Sequence, residues 1–410
     1  MGQTVESATM HVRNLWMICC VAVLVGCGSL HRNPVPPQMS QDATIPNMPD
    51  VRAWIGQPNP TLELDLAQSF AQESELDFPR AADGSVHYAH LALSGGGANG
   101  AFGAGFLNGW TSTGNRPVFK IVTGVSTGAL MAPFAFLGSD YDDALRLFYT
   151  TIRSRDIFIW GSLLRQILSG ESLANTAPLA ALIDQYVTAD LLAKVADAHR
   201  HGRRLYIGTA DLDVPRFVVW NMGLIASSGR PEALALFRNV MLASASIPIA
   251  FPPVFIDVET RSGGPQYDEM HVDGGVGARV FLSGGLFRPS VIRQRGGLGE
   301  GREDIFVIHN GQLRRPPAQP VRRALPAIAM RVIDASGRAA VIGDLFRIYG
   351  YAVEEQATFH WVTIPNDVEI AAGEETFDPV RMQMLYDVGF RLAADGGGWS
   401  TVPPGQPTEP

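Results

Sequence analysis

The stretch LALSGGGANGAFGAG, residues 91–105, changes from an apolar run to a cluster of glycines, which predicts that a strand gives way to a helix here. Gly95, Gly96 and Gly97 lack a Cβ, so their N–H groups can approach an anion closely. The stretch matches G-x-G-x-x-G, but a dinucleotide site also needs an acidic residue about 20 positions later. No Asp or Glu occurs between Asp83 and Asp140. We therefore favour a transient anion, such as the oxyanion of an ester under attack.

Strand-like and helix-like segments alternate along most of the chain. Beyond the opening stretch, the predicted strands are 119–123, 204–212, 216–223, 251–258, 266–272 and 304–311. Helical periodicity dominates residues 140–198 and returns at 231–248 and 382–394. This alternation predicts a three-layer α/β/α fold with a central, mainly parallel sheet.

Composition limits the class of partner. The 410 residues are 46% hydrophobic and carry a net charge of -8. A chain of this kind can bury a large core, and its charge repels nucleic acid and anionic membranes at long range. We predict no nucleic-acid partner, and we expect any lipid contact to be apolar or covalently anchored.

The N-terminus contains an apolar run, residues 15–25, which is too short to span a bilayer and reads as a secretory signal. It ends in LVGC, which resembles the bacterial lipobox. We predict a signal peptide over residues 1–26 and lipidation of Cys27, with an uncleaved or ordinary signal peptide as the alternative. By resemblance to bacterial lipoproteins, Gly28 after the cysteine favours anchoring in the outer membrane of the cell envelope over the inner membrane.

Proline content separates the remaining regions. Residues 27–85 begin with a proline-rich stretch whose composition is typical of an extended tether that does not form a core. We predict the folded domain over residues 86–399. Residues 400–410 are predicted to be a disordered tail.

The pentapeptide Gly124-Val-Ser-Thr-Gly128 fits G-x-S-x-G. In this motif a serine occupies a sharp turn between a strand and a helix, with its hydroxyl exposed. The flanking residues agree, because FKIVT is strand-like and ALMAPFAFL is helix-like. Ser126 is therefore a candidate nucleophile, and Gly95, Gly96 and Gly97 are candidate oxyanion donors.

A serine nucleophile needs a base, and HVDGG supplies Asp273 at the end of a predicted strand. The chain contains a second Asp-Gly-Gly at Asp395, but that one follows a helical pattern and is typical of a glycine helix cap. We favour Asp273, since a strand end can bring its carboxylate to another motif.

Together, SGGGANG, GVSTG, ASASIPIAFPPV and VDGG, in this order, resemble the patatin-like phospholipases, which are lipid acyl hydrolases with a serine–aspartate dyad. The resemblance implies a patatin-like hydrolase domain in which Ser126 is the nucleophile, Asp273 the base and Gly95–Gly97 the oxyanion loop. The motif glycines that it adds are Gly100, Gly124, Gly128, Gly274 and Gly275. It implies an acyl-ester substrate and no metal or organic cofactor.

One residue departs from the family pattern, and two other functions remain open. Asn99 stands where the family usually has Arg or Lys, which leaves the headgroup preference undetermined. His309 follows Asp273 at a strand end, so the order Ser126, Asp273, His309 would also suit an α/β-hydrolase esterase. A third interpretation is an inactive envelope lipoprotein that binds acyl chains. The sequence gives no prediction of oligomeric state.

Overall fold

The computed structural model describes residues 32–160, 172–282, 288–296, 301–313, 318, 320–370 and 375–406. The predicted signal peptide and Cys27 lie outside these residues. The strands in the described ranges are β1 Arg52–Trp54, β2 Val86–Leu93, β3 Phe119–Val125, β4 Ile159–Trp160, β5 Ala174–Asn175, β6 Arg204–Asp211, β7 Arg216–Asn221, β8 Val254–Glu259, β9 Gln266–Asp273, β10 Gly301–His309 and β11 Thr358–Thr363.

Nine of these strands form one sheet. Its main path is β1-β7-β6-β3-β2-β10-β11, and β9 pairs with both β6 and β8. The five strands from β6 to β11 along this path are parallel, whereas β1, β7, β8 and β9 pair antiparallel. All seven residues of β3 are buried, as expected for a parallel strand covered on both faces. The predicted mainly parallel sheet is confirmed.

Helices cover both faces of the sheet. In the described ranges they are α1 Pro60–Ala71, α2 Gly100–Ser112, α3 Thr127–Leu137, α4 Asp142–Thr151, α5 Ser154–Ile157, α6 Ala177–Tyr186, α7 Ala189–Arg200, α8 Met222–Ser227, α9 Ala233–Ser244, α10 Pro289–Arg295, α11 Leu325–Glu355 and α12 Pro379–Ala394. One apolar cluster joins the sheet to α2, α3 and α12, and a second joins it to α1 and α11. The predicted three-layer α/β/α fold is confirmed.

The register of β6 brings two distant segments together. Val125, the last residue of β3, pairs with Gly208, and the next residue of β6, Thr209, pairs with Asp273 of β9. Strand β9 therefore lies along the same edge of β6 just where β3 ends. Because Ser126 follows Val125, the sheet itself places Ser126 beside Asp273.

The described part of the predicted tether packs against the sheet. Thr44 pairs with Glu259, and β1 extends the sheet by pairing with β7. Ala43 and Ile45 are buried in the main apolar cluster. The prediction that this proline-rich stretch does not form a core is wrong, since a few apolar residues between the prolines are enough to anchor it.

The predicted tail also begins with an attached segment. Ser400 pairs with Trp361, whose indole Nε1 donates a hydrogen bond of 2.8 Å to the carbonyl of Val402. The prediction of disorder is therefore wrong for these first residues. Residues 407–410 lie outside the described ranges.

The 31-residue helix α11 was not among the predicted elements. It lies over the carboxyl end of the sheet, where Asp344 accepts hydrogen bonds from the amides of Arg279 and Val280. No helix in the described ranges is long and apolar enough to cross a membrane. The same ranges contain no group of three or more His, Cys, Asp or Glu residues suited to hold a metal ion.

Candidate active site

Ser126 occupies a strained turn between β3 and α3. Its φ of 57° is unusual for a residue with a side chain. The Ser126 amide donates to Ser244 Oγ over 3.0 Å, and Ser244 Oγ donates to the carbonyl of Gly208 over 2.7 Å. The predicted strand–turn–helix context of Ser126 is present, and Ser244 helps to hold the turn in place.

The two glycines of the pentapeptide are required by close packing. A Cβ on Gly124 would lie 2.4 Å from the carbonyl oxygen of Gly128. A Cβ on Gly128 would lie 2.3 Å from the carbonyl oxygen of Leu93, at the end of β2. Any side chain at either position would push α3 away from the sheet and move Ser126 with it.

The carboxylate of Asp273 is buried beside Ser126. It accepts a hydrogen bond of 2.7 Å from the amide of Gly275, and it lies close enough to the Ser126 hydroxyl for that group to lower its pKa. Burial raises the pKa of Asp273 to about 6, although the Ser126 hydroxyl, the Gly275 amide and the charge of Arg279 oppose the rise. Above that pH the carboxylate is ionised and can accept the hydroxyl proton.

The glycine loop, Gly95–Gly97, supplies fewer free amides than the sequence predicts. The Gly95 amide donates to the carbonyl of Arg279 over 3.0 Å, so it is not a free oxyanion donor. The amides of Gly96 and Gly97 have no acceptor within the described part of the chain. Gly97 has a φ of 58°, and the loop places both residues in the cleft beside Ser126. Only these two of the three predicted amides are available to an oxyanion.

The other motif residues have distinct positions. Asn99 lines the cleft just before α2, and its side chain does not cap that helix. A Cβ on Gly100 would lie 2.5 Å from Thr127 Oγ1, and one on Gly274 would lie 2.4 Å from the carbonyl oxygen of Gly208. These glycines let the loop and the turn after Asp273 approach the serine turn closely.

His309 lines the cleft but belongs to a different hydrogen-bond network. Its Nδ1 lies 3.1 Å from Ser94 Oγ. Within the described ranges, no hydrogen bond joins His309 to Ser126 or Asp273. Burial, followed by the charges of Arg279 and Arg338, lowers the pKa of His309 to about 4. The ring is therefore neutral at physiological pH, and Ser94 helps to orient it.

Asn310, next to His309, was not recognised in the sequence. Its side chain accepts from the Gly103 amide over 3.1 Å and donates to the Ser94 carbonyl over 2.9 Å. A Cβ on Gly96 would lie 2.1 Å from the Asn310 carbonyl oxygen. Asn310 thus fixes the glycine loop against β10, and its position at the end of a predicted strand was the only sequence signal for it.

Two cavities meet at Ser126. A cleft of about 560 Å³ is lined by the glycine loop, Asp273, Arg279 and part of α11. A narrower cavity extends from Ser126 between apolar side chains of several helices. Its apolar lining consists of Leu130, Phe148, Ile152, Ile157, Leu179, Ala245, Ile247, Phe251, Phe377 and Met382. The open cleft therefore holds the charged groups of the site among apolar side chains, the narrow cavity is almost wholly apolar, and Ser126 lies where the two meet.

A mainly parallel sheet with a strained serine at its carboxyl edge and a buried aspartate beside it places the protein in the class of α/β proteins with a nucleophile turn. Residues 91–283 match the family model described as patatin-like phospholipase. This match supports the hydrolysis of lipid acyl esters as the activity to be tested for the domain.

Two solved structures are similar to the chain. VipD from Legionella pneumophila is 12% identical, with 78% of this chain and 70% of VipD covered at a TM-score of 0.37. The type III effector protein ExoU is 15% identical, with 79% of this chain and 57% of ExoU covered at a TM-score of 0.33. Likenesses of this size establish no function. No curated protein matches the chain significantly.

Proposed function

We propose that the protein hydrolyses acyl esters of lipids with a Ser126–Asp273 dyad and an acyl-enzyme intermediate. The observation that carries this proposal is the position of the buried Asp273 carboxylate beside Ser126, in the cleft that both residues line. The free amides of Gly96 and Gly97 in the same cleft support it, because they can stabilise an oxyanion.

The reaction needs only groups of this site and water. Asp273 accepts the proton of Ser126 Oγ as the oxygen bonds to the acyl carbon, and the oxyanion forms near the Gly96 and Gly97 amides. When the alcohol leaves, it takes that proton from Asp273. A water molecule then gives a proton to Asp273 and attacks the acyl carbon, which releases the fatty acid and returns the proton to Ser126.

The two cavities at Ser126 fit the two parts of such a substrate. The narrow cavity, of about 30 Å³, has an almost wholly apolar lining and suits the first carbons of an acyl chain, since burying each CH₂ group contributes about 0.8 kcal/mol. The open cleft suits the alcohol part of the ester, which must enter from water and leave again. Helix α11 forms one wall of this cleft and so contacts the alcohol side of the substrate.

A series of p-nitrophenyl esters with acyl chains from acetyl to decanoyl tests the proposal. We expect kcat/KM to rise with chain length for the wild type. Ala245→Phe places a large side chain in the apolar cavity, so we expect about a tenfold loss or more with the decanoyl ester and little change with the acetyl ester. The acetyl ester controls for folding and for the chemistry.

Two results would contradict the proposal. One is the absence of hydrolysis of every ester by folded wild-type protein. The other is an equal effect of Ala245→Phe on short and long esters, which would place the acyl chain elsewhere.

We also propose a lipid anchor at Cys27 and a location in the bacterial outer membrane. Cys27 lies outside the described residues, so the support is the LVGC sequence alone. We expect a bacterial cell expressing the full chain to incorporate labelled palmitate into the wild type and not into Cys27→Ser, and fractionation to place the labelled protein in the outer membrane. An unlabelled wild type would contradict the anchor.

A further inference from the structure

Arg279 is held between the glycine loop and α11, six residues after Asp273. Its carbonyl accepts the Gly95 amide over 3.0 Å, and its own amide donates to Asp344 over 2.7 Å. These bonds connect it to two elements that line the cleft, where the Arg279 side chain also lies. The backbone of Arg279 is thus fixed relative to the candidate nucleophile.

The guanidinium group of Arg279 lies close to the Asp273 carboxylate. A Cβ built on Gly275 would be 2.9 Å from Asp273 Oδ1 and 3.4 Å from Arg279 Nη1. Both atoms therefore lie on the same side of Gly275. The group is oriented by α11, since Arg279 Nη2 donates to the carbonyl of Ile333 over 3.0 Å.

Arg279 forms no ion pair in the described part of the chain, and the opposite charge near it is the Asp273 carboxylate, which the proposed reaction itself uses. No carboxylate there lies within 4.0 Å of its guanidinium, and its buried Nε has no acceptor. Three other buried arginines contact a carboxylate: Arg52 contacts Glu269, Arg204 contacts Asp65, and Arg293 contacts Glu303. A fourth, Arg203, donates instead to the backbone carbonyls of Phe119 and Phe136. Asp334, which also lines the cleft, pairs with Arg338. A half-buried cation with free donors in a cleft favours an anionic ligand.

We propose that Arg279 binds the phosphate ester of a phospholipid in the cleft and thereby selects phospholipids over neutral acylglycerols. This proposal rests on the proposed function, because it concerns the substrate of the same site. Asn99 is neutral at the position where the family usually has Arg or Lys. In this proposal Arg279 provides the cation at the site from a different segment of the chain. The fork of N–H groups on an arginine suits phosphate oxygens.

Gly337 on α11 gives a way to displace the guanidinium without removing its charge. A Cβ on Gly337 would lie 2.0 Å from Arg279 Nη2 and 2.2 Å from its Cζ. Because the end of an arginine side chain can move, Gly337→Ala should shift the guanidinium and leave the fold intact. Gly350, on the same helix, has nothing within 4 Å of its Cβ position, so Gly350→Ala is the matched control.

The experiment compares two dihexanoyl substrates that differ only in the phosphate group: dihexanoylphosphatidic acid and dihexanoylglycerol. At a pH of about 8, we expect Arg279→Gln to lower kcat/KM about tenfold or more for the phospholipid, mainly through KM, and less than about threefold for the neutral lipid. Gly337→Ala should change the ratio of the two rates in the same direction. Gly350→Ala should change neither rate.

The pH dependence of the rate gives a second measurement. If Arg279 had a purely structural role, its substitution would not move the acidic limb of this profile. Arg279 lowers the pKa of Asp273, so Arg279→Gln should move the acidic limb for the neutral lipid upward from about pH 6. The other ionisable groups lining the cleft are His309, Asp334 and Arg338. His309, with a pKa of about 4, stays neutral through this range.

The outcomes separate the two proposals. If the wild type hydrolyses neither lipid, the proposed function and the role of Arg279 both fail. If it hydrolyses both lipids and Arg279→Gln leaves their ratio unchanged, only the role of Arg279 fails. Inorganic phosphate is tested as an inhibitor of dihexanoylglycerol hydrolysis. If phosphate inhibits the wild type but not Arg279→Gln, and Arg279→Gln leaves the ratio of the two lipid rates unchanged, Arg279 is a site for free phosphate and does not select the lipid. If Arg279→Gln does not fold, the ratio measured for Gly337→Ala decides.

Discussion

Asp273→Asn should lower kcat/KM for a soluble ester by about 10³ or more, close to the loss expected for Ser126→Ala. The amide has the shape of the carboxylate and can still accept from Gly275, but it cannot take the serine proton. Labelling by a fluorophosphonate should be lost in both variants. His309→Ala should retain activity within about tenfold, because His309 contacts Ser94 and not the serine–aspartate pair.

Thermal unfolding provides the control for this comparison. The pKa of Asp273 is raised from 3.8 to about 6, so the ionised carboxylate destabilises the fold above that pH. At about 1.4 kcal/mol per pKa unit, Asp273→Asn could stabilise the protein by up to about 3 kcal/mol at pH 8. This gain should shrink as the pH falls through 6 and should vanish below about 3.8. His360→Ala, on β11, is a second histidine control outside the cleft.

The opposite result would change the mechanism. If His309→Ala abolishes turnover and labelling while Asp273→Asn keeps both, the dyad is wrong. The site would then operate as a Ser126–Asp273–His309 triad.

Gly128→Ala should be the most damaging single-methyl change in the serine turn. The new Cβ would lie 2.3 Å from the carbonyl oxygen of Leu93, and backbone atoms at that point of the sheet cannot move aside. We expect a loss of about 3 kcal/mol in the free energy of unfolding and a fall in activity below detection, because α3 and Ser126 shift together. Urea unfolding and ester hydrolysis measure the two effects.

Gly350→Ala is again the appropriate comparison, since both glycines are helical. Helix propensity alone makes a Gly→Ala change stabilising by up to about 1 kcal/mol, and Gly350 has open space around it. The two variants should therefore change stability in opposite directions. Wild-type stability and activity in Gly128→Ala would show that the close approach to Leu93 is not required.

The sequence predicted those parts of the site that depend on local signals. Ser126 is recognisable because a strand, a turn and a helix follow one another within a few residues, and this context is present in the structure. The choice of Asp273 over Asp395 agrees with the fold, since Asp273 ends β9 whereas Asp395 caps α12. The roles assigned to Ser126 and Asp273 in the reaction stay predictions.

The features that were missed depend on contacts between distant segments. The Gly95 amide is occupied by Arg279, which lies 184 positions later in the chain, and no local pattern indicates that bond. Helix α11 has apolar residues on several exposed faces, so its periodicity gives no clear amphipathic signal. The proline-rich segment was misjudged because composition does not reveal that Thr44 pairs with Glu259 across the sheet edge.

The pairing of β6 with both β3 and β9 has a consequence for protein engineering. Ser126 and Asp273 keep their separation through main-chain pairing at two adjacent residues, Gly208 and Thr209. The cavity walls can therefore be redesigned extensively while the spacing of this pair is inherited from the sheet. By contrast, removing one residue from the centre of β6 would shift β9 relative to β3 by about 3.3 Å and change the spacing of the pair, even if every side chain around it were kept.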